Sequence, residues 1–172
     1  MEDKELIFLH SIKDGLASLN KDATLLDKNL TFFPIHLLSV GLEPDKKGQA
    51  RNVMISPYDL GEEQRAFHNT YTQIYAQVPT ELTTEQMATL AMCLPEINQH
   101  VAIGHFGIQY NESKMYFKYI LLLSEGEKDA YKKVAEILEI LVFTLDIIEP
   151  TLDMITNGMA FTEILENANF TA

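Results

Sequence analysis

The chain has 172 residues, enough for one domain, and 47% of them are hydrophobic, an ordinary share for a globular protein. The net charge is −12, from 25 acidic and 13 basic side chains. That argues against a general binder of phosphate backbones, which presents basic patches. One cysteine makes no internal disulfide, and no apolar run approaches the roughly 20 residues of a membrane span. These features predict a cytoplasmic protein with no membrane segment. The opening MEDKELIF carries early acids and no apolar core behind basic residues, so no signal peptide is expected.

Residues 2–20 read as a first helix. Leu9, Ile12, Leu16 and Leu19 recur at helical spacing, and Leu6 extends the stripe. Asp3 is its candidate cap. Residues 20–29 read as a loop with a short edge strand. Residues 30–42 read as one or two strands interrupted by Pro34, which belongs at an edge or bulge because proline cannot donate to a ladder. A turn over 44–49 leads into a strand from Arg51 to Ser56. Residues 58–69 fit either a helical turn or a polar loop. Residues 71–78 alternate as a strand, with Thr72, Ile74, Ala76 and Val78 on one face and Pro79 expected to end it. Thr83 and Gln86 have the spacing of a capping box. Met87, Leu90, Ala91, Leu94 and Ile97 form the stripe of a second helix, which Pro95 is expected to kink or end.

The stretch Ala102 to Leu123 predicts a long β-hairpin around which the rest packs. Asn111 to Lys114 suit its turn, which pairs Tyr110 with Met115, Ile108 with Phe117 and Phe106 with Tyr119. These six share one apolar face. His105, Gly107, Gln109, Tyr116, Lys118 and Ile120 share the other, so one side is covered by helices and the other is partly wet. Gly104 and Gly107 predict a bulge or a close approach of another segment. A polar turn at 125–129 opens the longest helix. Val134, Ile137, Leu138, Leu141, Leu145 and Ile148 are its main stripe, and Ile140, Phe143 and Ile147 form a second one. That second stripe reads either as internal core or as a surface for a protein partner. Pro150 is expected to bend the chain, Gly158 to stop the helical pattern, and 161–167 to add a turn or two. The order of elements is not an alternating βαβ series. It predicts a single α+β domain over 1–172, an antiparallel sheet with helices packed on one face.

No motif commits the chain to a reaction. The histidines form no HExxH, and the spacing of Glu96, His100 and His105 matches no ligand pattern. No GxSxG elbow is present. Asp146 with Glu149, and Glu136 with Glu139, read as the solvated face of a helix. Cys93 lies in the apolar run AMCL and reads as a core thiol. The hairpin aromatics suit base stacking in principle, but the acidic balance favours core packing.

Asn98 near the end of the second helix, Gly104-x-Phe106 opening a strand, and Tyr116-x-Lys118-Tyr119 in its partner carry a resemblance, clearest over residues 71 to 155. In these features and in its element order the chain resembles the YbjN-like family, whose fold is shared with the type III secretion chaperones. Those are small, acidic bacterial cytosolic proteins, often homodimers. The resemblance implies a non-enzymatic protein-binding module, chaperone- or adaptor-like. It implies a protein client or a second copy as partner, no nucleic acid, no membrane, and no catalytic residue, cofactor or metal. The binding residues proposed from the sequence are Ile140, Phe143 and Ile147. The alternative is a regulatory or small-ligand-sensing domain of the same fold, with a pocket between the final helix and the aromatic sheet face for a small apolar ligand.

Overall fold

A computed structural model of the chain describes residues 4–29, 34–58, 69–124 and 126–168. The elements run α1 (Lys4–Ser18), β1 (Ala23–Leu26), β2 (Leu37–Leu42), β3 (Arg51–Pro57), β4 (Asn69–Glu81), α2 (Thr84–Gln99), β5 (His105–Gln109), β6 (Lys114–Ser124), α3 (Ala130–Thr156) and α4 (Phe161–Asn167). The strands form one sheet in the order β1-β2-β3-β4-β6-β5, antiparallel at every pairing. The fold is α+β. No helix among the described residues is long and apolar enough to cross a membrane.

Strand alternation separates the two faces. Val40, Val53, Ala76, Phe117 and Phe106 stand opposite one another across five strands, and all are buried. Residues directly opposite in antiparallel strands share a face. This row, with the flanking row of Leu38, Ile55 and Ile74, is the floor of the core. Leu9, Ile12 and Leu16 of α1, Leu90, Cys93 and Ile97 of α2, and Val134, Leu138, Leu141 and Leu145 of α3 complete it. The helical stripes read from the sequence therefore face the sheet. Leu19 is the exception: it follows α1 and is exposed. Thr83 caps α2 as expected. Its hydroxyl accepts the Gln86 N–H at 3.2 Å, and the Gln86 side chain accepts the Thr83 N–H at 2.8 Å.

Several expectations are corrected. The hairpin pairs Ile108 with Met115 and Phe106 with Phe117, two residues away from the expected register. Its loop is Tyr110 to Ser113, and Ser113 takes a left-handed conformation with φ of 55°. A two-residue slip preserves the faces, so Phe106, Ile108, Met115 and Phe117 still pack inward while Tyr110 is exposed. Pro79 does not end β4. The strand runs on to Glu81 through a register shift between Gln77 and Glu81, which takes the proline out of the ladder. Pro95 and Pro150 lie inside α2 and α3. Both sit on the exposed side, and the buried Ile97, Leu152 and Ile155 beyond them hold the helices to the core. Pro34 precedes β2, and β1 is the short edge strand expected over 20–29. Asp3 and most of 58–69 lie outside the described residues.

Candidate functional surfaces

Three surfaces carry the chemistry. The first is the outer side of α3. The main stripe of this helix is buried, but Phe143 is 60% exposed. Ile140 and Ile147, one turn away on either side, are half-buried. Glu136, Glu139 and Asp146 border them, and Glu139 takes an ion pair from Lys21. The three residues singled out in the sequence thus share one surface strip.

The second is the sheet face opposite the helices. The Tyr75 and Tyr116 rings stack with centroids 5.5 Å apart, and His105 meets Tyr116 edge-on. Lys118 lies 4.8 Å over the Tyr58 ring. The Tyr75 hydroxyl donates to Gln109 Oε1 at 2.7 Å, and Glu112 accepts from both Gln77 and Gln109. Burial pushes the Tyr75 phenol above its ordinary value, so the hydroxyl keeps its proton and stays a donor. Tyr116 lies across Gly107, where a Cβ would stand 2.5 Å from its ring. Gly104, with φ of 68°, likewise has the Phe117 ring 2.5 Å from a would-be Cβ. Of the two readings of these glycines, a bulge or a close approach, both positions show the close approach, made by side chains of β6.

Asn98 explains itself here. Its side chain reaches from the end of α2 to the outer edge of β5, accepting the Phe106 N–H at 2.7 Å and donating to the Phe106 carbonyl at 3.0 Å. The amide stands in for a neighbouring strand. The Asn98, Gly104 and Phe106 pattern in the sequence is therefore a device for seating the hairpin.

The third is a polar cleft of about 290 Å³ where the C-terminal turns of α3 pass over the ends of β3 and β4. Arg51 shares the covered sheet face with Val53 and Ile55, so its guanidinium points under α3. It donates to Asp146 Oδ1 at 2.7 Å and lies 3.6 Å from Glu149 Oε2. Glu149 is 9% exposed, and neither of its carboxylate oxygens accepts a hydrogen bond. The pair expected on a solvated face is thus divided. Asp146 is half-exposed, whereas Glu149 is buried where α3 faces Arg51 and the ends of β3 and β4. At the rim, Lys47 pairs with Asp153, which holds its ammonium above the ordinary lysine value; the charges of Glu149 and Asp45 add to the effect. The sequence signal for this site was an arginine in phase with two inward β-branched residues.

The remaining candidates are buried or contact neighbouring groups. Cys93 is fully buried, and burial raises its thiol pKa. His100 Nδ1 lies 3.0 Å from the Glu96 carbonyl, and His36 is buried 3.2 Å from Asp27. Among the described residues no group of three or more histidine, cysteine or acidic side chains is placed to hold a metal. No protein-family model, curated protein or solved structure matches this chain.

Proposed function

We propose that the chain is a non-enzymatic protein-binding module, chaperone- or adaptor-like, working as a cytoplasmic bacterial homodimer or on a protein client. The observation that carries this reading is Phe143. It stands exposed in the middle of the Ile140–Phe143–Ile147 strip, on a helix whose other apolar residues are mostly buried. An exposed aromatic on an apolar strip is the kind of anchor that dominates protein interfaces. The bordering carboxylates suit a partner with basic flanks. The helix–strands–helix–hairpin–long helix order, the one implied by the resemblance to YbjN-like proteins, also supports it. The test compares the wild type with Phe143→Glu by light scattering and by capture of partners in the native host. The variant is expected to keep its circular dichroism and lose self-association or its partner. Unchanged association by a folded variant sinks the reading.

The polar cleft favours a second reading, a small-ligand-sensing domain. It lies between the long helix and the ends of β3 and β4, away from the aromatic hairpin face against which a pocket was expected. Its lining is charged, so an apolar ligand does not suit it.

A further inference from the structure

We propose that the cleft between α3 and the ends of β3 and β4 binds a small alkylammonium ion between Glu149 and Asp153. This rests on the ligand-sensing reading and names its ligand class.

Three observations carry it. Glu149 lines the cleft and is buried, yet neither carboxylate oxygen has a hydrogen-bond donor, and Arg51, whose Nη1 is committed to Asp146, reaches it only at 3.6 Å. A buried carboxylate without donors is costly, and an N–H-bearing cation relieves that cost. The field has the matching sign: among the described lining residues, Asp45, Glu81, Glu149 and Asp153 face only Lys47 and Arg51. Asp45 is occupied by its own turn, accepting the Lys47 and Gln49 backbone N–H groups.

The chain also supplies its own example of the ligand. Lys47 is a primary ammonium on an alkyl stem, held at the rim by Asp153. Glu149 and Asp153 are four residues apart on α3, so they share a helix face and bracket one cation position. The incoming ammonium displaces Lys47 from Asp153 and donates to Glu149. No covalent step is involved. A cavity of about 290 Å³ holds a short diamine with its stem against Leu145 and Leu152.

The experiment is calorimetric titration of the full chain at low ionic strength with putrescine, using neutral butane-1,4-diol and inorganic phosphate as controls. Putrescine is expected to bind and the diol not to. Lys47→Gln, on an exposed turn, removes the internal competitor and is expected to tighten putrescine about 5-fold, roughly 1 kcal/mol at 1.4 kcal/mol per decade. Glu149→Gln is expected to weaken it at least 10-fold. Wild-type binding that Glu149→Gln leaves unchanged overturns the site, since it reports only attraction to an acidic surface. If Glu149→Gln fails to fold, Asp153→Asn decides beside Glu85→Gln, a charge-matched change outside the cleft: weakening by the first alone supports the site, and equal effects overturn it. Phosphate binding that is lost in Lys47→Gln overturns the ammonium class and leaves the sensing reading standing. Silence from every probe overturns both.

Discussion

Replacing Asn98 with alanine tests the seating of the hairpin. The wild-type side chain makes two hydrogen bonds to the backbone of Phe106, at 2.7 and 3.0 Å. Phe106 is only 2% exposed, so water replaces these bonds poorly. At roughly 1–1.5 kcal/mol for each, the loss is about 2–3 kcal/mol. For a domain of this size that lowers Tm by about 4–12 °C. Asn98→Asp adds a sign. It keeps the acceptor for the Phe106 N–H but points a second carboxylate oxygen at the Phe106 carbonyl, so its destabilisation should ease as the pH falls through the carboxylate range. The assay is thermal denaturation at pH 7 and at pH 4, each referred to wild type at the same pH, with amide exchange at Phe106 as the local readout. An alanine variant within 0.5 kcal/mol (on the order of a neutral surface change) and an unaltered Phe106 exchange rate would refute the reasoning.

Three further outcomes follow from the same packing. Gly104→Ala combines a left-handed φ with a contact 2.7 Å from the Lys118 carbonyl oxygen and should cost roughly 2–4 kcal/mol, read in urea denaturation. Thr83→Ala breaks the capping box of α2 and should cost about 1 kcal/mol by the same measurement, while Thr83→Ser stays near wild type. Cys93, whose thiol pKa is raised by burial, favours the folded state fully below the unfolded thiol value of about 8.5, and that contribution is lost as the pH rises through the higher folded value. Iodoacetamide should therefore label Cys93 only under conditions that unfold the chain.

Much of the fold was legible because period and phase are local. The inward faces of α1, α2, β4 and the hairpin follow from spacing alone. The hairpin register was not legible, because it depends on Ser113 adopting a left-handed conformation rather than on where polarity begins. The prolines misled for one shared reason. Their cost depends on tertiary context: Pro79 sits at a register shift outside the ladder, and Pro95 and Pro150 lie on exposed sides of helices whose buried residues continue beyond them. Of the functional surfaces, the Ile140, Phe143 and Ile147 strip could be read from helical phase, though not its exposure. The cleft joins Arg51 to carboxylates almost a hundred residues later, and no local pattern announces a meeting of that range.

The sheet order has a consequence for how the molecule assembles. Strands β1 to β4 are consecutive neighbours, and β5 and β6 pair with each other, so each group can zip up from nearby residues. A single long ladder, β4 against β6, joins them, and it pairs residues as distant as Asn69 and Ser124. Among the strand pairings this seam closes the longest loops, so it is the ladder expected to form last. Substitutions along the seam, such as Ile74→Val or Leu121→Ala, should act on the folding rate, whereas those within the β1–β2 pair should act mainly on the rate of unfolding. Until the seam closes, the inward-facing residues of both halves are uncovered, so the interval before closure is when the nascent chain is most exposed to aggregation.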